Sequence, residues 1–242
     1  NLMELFPDAP IYTLLYNPES MGKHLGHRQI HTSFLDKPFV RKRHRAFIPI
    51  LGHAAESINL GDQYDLIISN TMGFVKGVRY TRGTHISYVH APLRYAWEPH
   101  EFLGDLFPKP LIWAGMPLIR YVRWQDKKFS RKPAPIIANS HNIASKIKKF
   151  YDRESDVVYP PVEGDKFYFD PNIEKQNYYF AYGRIIHFKK FPLIVEAFRE
   201  LGLPLKIAGT GPDEKTVRRL ANGYDNIEIH SFLGDDTLRK MI

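Results

Sequence analysis

The sequence contains no cysteine, so disulfide bonds and thiolate metal sites are excluded. It also has no long apolar run. The longest one, at residues 111–119, is broken by Gly115 and Pro117 and is far shorter than the roughly 20 residues of a membrane-spanning helix. Charged residues follow soon after Asn1, so we expect no signal peptide at the start of this sequence. Since the first residue is not methionine, we expect the sequence to be a piece of a longer chain.

The motifs of several enzyme classes are missing as well. Eleven histidines are scattered along the chain without a His-x-x-x-His pair on a predicted helix, and no Asp-x-Asp pair accompanies them. The sequence contains neither a Gly-x-Ser-x-Gly nucleophile elbow nor a Walker phosphate loop. It therefore predicts no metal site, and it does not favour a serine hydrolase or a P-loop enzyme.

The composition is that of a folded globular protein with a basic surface. Of the 242 residues 43% are hydrophobic and 25% are charged, which is typical of a chain with a packed core. Lysine and arginine number 34 against 26 acidic residues, giving a net charge of +8. This excess favours an anionic partner, either nucleic acid, acidic lipid or a phosphorylated substrate.

Short apolar runs alternate with helical patterns, which is typical of βα units and of a parallel sheet. We therefore predict an α/β fold. The predicted strands are residues 11–16, 65–69, 85–90, 136–139, 157–159, 178–182, 205–208 and 227–229. The predicted helices are residues 46–57, 118–129, 143–151, 193–201 and 214–221, with Asn142 as the N-cap of the third and Gly202 ending the fourth.

Pro160 and Pro161 lie in the clearest seam of the chain, at residues 159–165. Two prolines cannot donate hydrogen bonds to a sheet and they stiffen the backbone, which suits a linker. We therefore predict an N-terminal domain at residues 1–160 and a C-terminal domain at residues 161–242. Three strands and two helices make a small core, so we expect the second domain to be incomplete.

The turn at residues 183–190 combines a glycine with two cations. It follows the strand 178–182, which we predict to be buried, and ligands of open α/β sheets bind at the carboxyl ends of strands. Gly183 allows a sharp turn, and the Arg184 fork can bind two phosphate oxygens while Lys189 adds a second charge. The turn predicts a diphosphate site for a nucleotide sugar or a dinucleotide. A pair of cations that is simply solvated stays open as the alternative.

A second glycine turn, at residues 209–214, follows the next strand. It lacks the third glycine of a dinucleotide fingerprint, and Asp213 and Glu214 already complement the positive end of the helix that follows. An incoming phosphate would be repelled there. We interpret Gly209 and Gly211 as a tight connection that lines a nucleotide cleft, which weakens the case for a dehydrogenase.

His90 closes a predicted strand, a position from which a side chain faces a crevice. A rigid Ala-Pro step follows, and then an arginine, two aromatics and a carboxylate, at residues 94–98. A lone histidine at a strand end is usually structural. The density of polar and aromatic residues after this strand favours a functional role.

The first domain contains two basic clusters. The apolar residues on either side of the first cluster make it suit an anionic membrane surface, where each cation near the lipid is worth about 1 kcal/mol. A solvated face explains each cluster separately as well. The first consists of Arg41, Lys42, Arg43, His44 and Arg45, and the second of Arg120, Arg123, Lys127, Lys128, Arg131 and Lys132.

Four segments, taken in order, resemble glycosyltransferase family 4, the retaining nucleotide-sugar enzymes with the GT-B fold of two Rossmann-like domains. The segments are residues 88–98, residues 157–162, the Gly183-Arg184 turn with Lys189, and Gly209-Thr210-Gly211-Pro212. The segment 88–98 is similar to that of mannosyltransferases of the WbaZ type. The resemblance covers essentially all 242 residues.

The resemblance implies a role for each candidate residue. Gly183, Arg184, Lys189, Gly209 and Gly211 would bind the donor, with the two cations on its diphosphate. His90 would be a catalytic residue near the transferred sugar. The first domain would be the acceptor side and the second would be part of the donor-binding domain, in a GT-B type fold.

The resemblance also implies an activity. It is the transfer of a sugar, with mannose from GDP-mannose favoured, to a lipid-linked glycan in surface polysaccharide synthesis. The reaction would retain the anomeric configuration and would need neither a metal ion nor another cofactor. The enzyme would be cytoplasmic, in peripheral contact with the inner face of the cell membrane, and would have no nucleic acid partner.

The Glu-x7-Glu element of the family and its first glycine-rich loop are both missing from residues 1–242. We therefore expect this chain alone to be inactive. Two other classes stay open on the sequence: a non-catalytic protein that binds nucleic acid or anionic lipid, suggested by the charge, and a nicotinamide-dependent oxidoreductase, suggested by the alternating strands and helices.

Overall fold

A computed structural model of the chain describes residues 2–26, 28–104, 107–162, 164 and 167–242, with only the backbone described for residues 20, 23 and 24. The chain divides into two compact units, Asn1–Pro160 and Pro161–Ile242. Glu163 and Asp165 of the predicted linker lie outside the described residues.

The first unit contains two parallel sheets with helices between the strands. Its strands are β1 (Ile11–Thr13), β2 (Ile30–Thr32), β3 (Leu66–Thr71), β4 (Thr84–Val89), β5 (Ile136–Ala138) and β6 (Asp156–Val157). Its helices are α1 (Leu2–Leu5), α2 (Pro18–Leu25), α3 (Pro38–Lys42), α4 (Ile48–Ser57), α5 (Arg94–Trp97), α6 (Pro99–Leu103), α7 (Lys109–Ala114), α8 (Met116–Phe129) and α9 (His141–Tyr151). Short 3₁₀ helices lie at His44–Phe47 and Phe74–Gly77.

Strands β1 and β2 pair with each other, and β3 to β6 form a four-stranded sheet in the order β3-β4-β5-β6. All of these pairings are parallel. In β4 every second residue is buried, and Val89 belongs to a core cluster with Ile147 and Phe150 of α9. Because the sheet is parallel, the segments that follow β3 and β4 leave it at the same edge.

The second unit is a smaller α/β layer. Its elements are β7 (Tyr179–Tyr182), a 3₁₀ helix (His187–Lys189), α10 (Phe191–Leu201), β8 (Leu205–Ala208), α11 (Glu214–Ala221), β9 (Ile227–His230) and α12 (Asp235–Met241). The strands pair in parallel in the order β7-β8-β9. Ile207 of the central strand packs with Val195 and Val217 in the core of this unit.

The prediction that the strand at residues 178–182 is buried is wrong. Tyr179 is 57% exposed and Tyr182 is 51% exposed. Among the residues that the structure describes, β7 pairs only with β8, so it is an edge strand.

The helix ends follow local chemistry, with one correction. Gly202 ends α10 as predicted, in the left-handed region at φ 66°. The N-cap of α9 is Ser140 rather than Asn142, because the helix begins earlier, at His141, and the Ser140 hydroxyl accepts a hydrogen bond from the Ile143 amide. The predicted strands do not include the three-residue strand β2.

His85 makes the stability of the fold depend on pH. Its side chain is only 2% exposed, and burial together with the charge of Lys132 lowers its pKa from 6.5 to about 4. Below pH 6.5 the unfolded chain therefore binds a proton that the folded chain excludes. We expect the free energy of unfolding to fall by up to about 3 kcal/mol between pH 7 and pH 4 from this group.

Urea unfolding at both pH values checks this expectation. The His85→Gln variant should lose less stability on acidification than the unaltered protein, whereas the exposed His44→Gln control should lose the same amount. Equal losses in all three proteins would contradict the assignment to His85.

Candidate functional site

The turn after β7 lies against the turn after β8. Gly183 has a φ of 130°, and its amide donates to the Ala208 carbonyl at 2.9 Å. The Ile185 amide donates to the Thr210 carbonyl, also at 2.9 Å. These two bonds hold the turns side by side where the parallel strands end.

Gly209 and Gly211 are required by this close approach. A Cβ atom at Gly209 would lie 1.9 Å from the Gly183 carbonyl oxygen, and one at Gly211 would lie 2.1 Å from the Ile185 carbonyl oxygen. Gly209 also has a φ of 150°, which favours glycine. The two glycines therefore have a structural role in bringing the turns together.

The side chains of Arg184 and Lys189 are exposed on this pair of turns. The ammonium nitrogen of Lys189 lies over Gly183, 2.6 Å from the position that a Cβ atom would take. Neither cation forms an ion pair with a residue that the structure describes. In contrast, Arg218 of the same unit pairs with Glu214 at 2.9 Å. The paired glycine turns thus present two uncompensated cations.

The start of α11 is acidic. Asp213 is its N-cap residue and Glu214 its first residue, and the Glu214 carboxylate is already bound to Arg218. Carboxylates at a helix N-terminus compensate its partial positive charge. The cations of the preceding turn are therefore better suited to an anion than this helix end.

The structure brings five of the six predicted site residues together in the second unit and leaves His90 in the first. There the His90 amide donates to the Thr71 carbonyl at 2.9 Å, and its Nε2 contacts the side-chain oxygen of Asn70. The Tyr88 ring lies 5.2 Å from the imidazole, edge to face. This half-exposed cluster sits at the carboxyl ends of β3 and β4.

Asn70 was not among the predicted site residues. It belongs to β3, and its register partner is Tyr88 of β4. The sequence did contain a signal for Asn70, because it follows directly after the predicted strand 65–69. Side chains at the carboxyl ends of parallel strands face a crevice, and this rule applies to Asn70 as it does to His90.

A buried carboxylate, Asp126, ties together the segments that follow β3 and β4. Its Oδ1 lies 2.5 Å from the ammonium of Lys76, which also donates to the Gly73 carbonyl at 2.7 Å. Its Oδ2 accepts hydrogen bonds from the Trp97 indole and the Tyr151 hydroxyl, both at 2.8 Å. Burial and the adjacent carboxylate raise the pKa of Tyr151 well above its usual value.

Several cations of the two basic clusters are engaged in the fold. Arg41 forms a bidentate ion pair with Asp36, at 2.6 and 2.9 Å. Arg123 donates to the Ala96 carbonyl at 2.8 Å, and Lys132 donates to the Gly77 carbonyl at 2.6 Å. These three side chains stabilise the first unit itself.

Across the described ranges, no three histidine, aspartate or glutamate side chains are grouped so that they could hold a metal ion. No helix within the same ranges is both long and apolar enough to cross a bilayer.

No protein-family model and no curated protein matches this sequence. Solved structures do match it. The Anabaena protein Alr3699/HepE in complex with UDP aligns with a TM-score of 0.56 and 13% identity, over 91% of this chain and 59% of HepE. The same protein in complex with UDP-glucose aligns with a TM-score of 0.52 and the same identity and coverage.

The fold is of the GT-B type. It is an α/β fold with parallel sheets, as predicted. This chain spans about three-fifths of the length of HepE. The lipopolysaccharide outer core galactosyltransferase WaaB, in its apo form, aligns with a TM-score of 0.45 and 15% identity, over 88% of this chain and 56% of WaaB, which is too weak to support a conclusion.

Proposed function

We propose that the protein is a glycosyltransferase that uses a nucleotide-sugar donor. The observation that carries this proposal is the pair of uncompensated cations, Arg184 and Lys189, on two glycine turns at the carboxyl end of a parallel sheet. The likeness of the fold to HepE, which was crystallised with UDP and with UDP-glucose, supports it.

The chemistry of the transfer explains why two cations are useful. The diphosphate of the leaving nucleotide gains negative charge as the glycosidic bond breaks, and fixed cations stabilise that charge most in the transition state. We propose that Arg184 and Lys189 do this without a metal ion and that the anomeric configuration is retained. We further propose that His90 contacts the sugar and that Asn70 orients its imidazole.

The donor and the acceptor are proposed from different observations. The similarity of residues 88–98 to mannosyltransferases favours GDP-mannose and a lipid-linked glycan acceptor at a membrane. The nucleotide bound by HepE favours a uridine donor instead. The two donors differ in the base, whereas the diphosphate that the cations contact is common to both.

Calorimetric titration of the 242-residue chain with GDP, GMP and guanosine, and with UDP, UMP and uridine, tests the proposal. If the cations bind the diphosphate, either GDP should bind at least about tenfold more tightly than GMP, or UDP at least about tenfold more tightly than UMP. The reason is that a charge-assisted hydrogen bond is worth about 1.5–3 kcal/mol. Equal affinities within each series would contradict the proposal. Tighter binding of NADH than of either diphosphate would favour an oxidoreductase.

A further inference from the structure

Two stretches of the first unit carry exposed apolar side chains and cations but no acidic residue. Residues 37–50 contain five lysines and arginines, residues 107–124 contain three, and neither stretch contains aspartate or glutamate. In a chain with 26 acidic residues this is an uneven distribution. Both stretches also contain bulky side chains that the fold leaves in solvent.

The fold brings these two stretches side by side. Helices α4 and α8 approach so closely at Gly52 that a Cβ atom there would lie 2.6 Å from Oε1 of Gln125. One turn earlier in α8, the Tyr121 hydroxyl bonds His53 at 2.8 Å. One turn further along both helices, Lys128 bonds Glu56 at 2.8 Å. Because residue numbers rise together from the Gly52–Gln125 contact to the Glu56–Lys128 contact, the two helices run in the same direction, and the start of α4 lies alongside the first half of α8. Only Gly115 separates α8 from α7.

We propose that this face of the first unit docks on an anionic lipid bilayer. We name it the basic-aromatic surface. It comprises the apolar side chains of Phe39, Ile50, Leu111, Trp113 and Leu118, which are 42–64% exposed. It also comprises Lys42, Arg43, Arg45, Lys109 and Arg120, which are exposed and form no ion pair with a described residue.

The chemistry of this surface matches that of a bilayer interface. Tryptophan is favoured at the boundary between headgroups and acyl chains, and leucine, isoleucine and phenylalanine insert beyond it. Lysine and arginine near the surface are attracted by acidic headgroups. A nucleic acid would satisfy the cations but offers no hydrocarbon for Leu111, Leu118 and Ile50, which is why we favour lipid.

Cations that already bind other groups of the protein narrow down which residues belong to the basic-aromatic surface. Arg41 and Arg123 lie in the same stretches but are bound to Asp36 and to the Ala96 carbonyl, so they are not part of the surface. Lys128, in the second basic cluster, is paired with Glu56 at 2.8 Å. The proposed contact therefore centres on residues 42–45 and on the start of α8, not on the whole of either basic cluster.

Flotation of the 242-residue chain with vesicles tests the proposal. We expect binding to vesicles of phosphatidylcholine with phosphatidylglycerol and much weaker binding to phosphatidylcholine alone. The variant Lys42→Glu/Arg43→Glu/Arg45→Glu should bind the anionic vesicles at least about 100-fold more weakly, since each lost cation costs about fivefold and the new carboxylates are repelled by the acidic headgroups. A control with the same change in net charge, Lys175→Glu/Lys215→Glu/Arg219→Glu in the second unit, should bind nearly normally.

A second variant separates lipid from other polyanions. Trp113→Ser/Leu118→Ser removes exposed apolar area without changing charge, and we expect at least about tenfold weaker binding to anionic vesicles with unchanged binding to heparin. Circular dichroism verifies that each variant is folded. The proposal is wrong if the anionic vesicles do not bind, if both charge variants bind equally, or if the apolar variant binds as tightly as the unaltered protein. Normal vesicle binding by the apolar variant with strong heparin binding would instead indicate a nucleic acid surface.

Discussion

Replacing Asp126 with alanine should lower the free energy of unfolding by about 3–5 kcal/mol, the cost of breaking a buried ion pair by removing one partner. The Lys76 side chain is 1% exposed and the Asp126 side chain is fully buried, so the variant leaves an ammonium group inside the protein with no counter-charge. It also removes the acceptor of the Trp97 and Tyr151 hydrogen bonds. Urea unfolding followed by circular dichroism measures the loss.

Two control variants define the origin of this loss. The half-exposed pair of Lys128 and Glu56, at 2.8 Å, provides a control ion pair that also involves α8, and Glu56→Ala should cost no more than about 1 kcal/mol. In the double variant Lys76→Met/Asp126→Leu the charge is removed together with its partner, so part of the stability should return. A loss for Asp126→Ala no greater than that for Glu56→Ala would refute a buried pair.

The second large effect is expected on nucleotide binding. We expect Arg184→Ala/Lys189→Ala to weaken the affinity for the preferred nucleoside diphosphate by about 100-fold or more, since each cation contributes at least one charge-assisted hydrogen bond. Both side chains are exposed, and neither has an ion-pair partner among the described residues, so the stability of the fold should hardly change.

The matched control is Lys215→Ala/Arg219→Ala, which removes the same charge from exposed positions of α11. Its affinity for the diphosphate should stay within about twofold of the original, because charges at a distance in solvent are screened. If both double variants weaken binding equally, the overall charge of the unit is responsible and the specific site is wrong.

Elements with strong local signals could be predicted from the sequence to within a residue or two. Residues 205–208 form β8 and residues 214–221 form α11 with the predicted bounds, because an apolar run and a helical pattern are separated there by a turn with two glycines. The strand β2 offers only the three residues Ile30–Thr32. A run that short carries no usable periodicity.

Properties that depend on neighbours could not be predicted. The apolar residues at 178–182 indicate a strand with a packed face, but they do not indicate how many strands pair with it. In the structure the strand, β7, lies at the edge of its sheet. Both Ser140 and Asn142 are good capping residues, and the choice between them follows from where β5 ends.

The site shows the same division. Arg184 and Lys189 could be proposed as site residues from the sequence because they follow a strand and share a turn. Asp126 was missed because its partners Lys76, Trp97 and Tyr151 lie 25–50 residues away in the sequence. Gly209 and Gly211 were expected to line a nucleotide site, and the close contact with Gly183 and Ile185 adds a packing reason for both glycines that sequence spacing does not reveal.

The central claim is that the paired turns after β7 and β8 bind the diphosphate of a nucleotide sugar. A crystal structure of the chain with its tighter-binding nucleoside diphosphate tests it most directly. We predict that phosphate oxygens lie within hydrogen-bonding distance of both Arg184 and Lys189, above Gly183. A diphosphate bound elsewhere, for example among Lys42, Arg43 and Arg45, with the Arg184 and Lys189 side chains left in solvent, would contradict it.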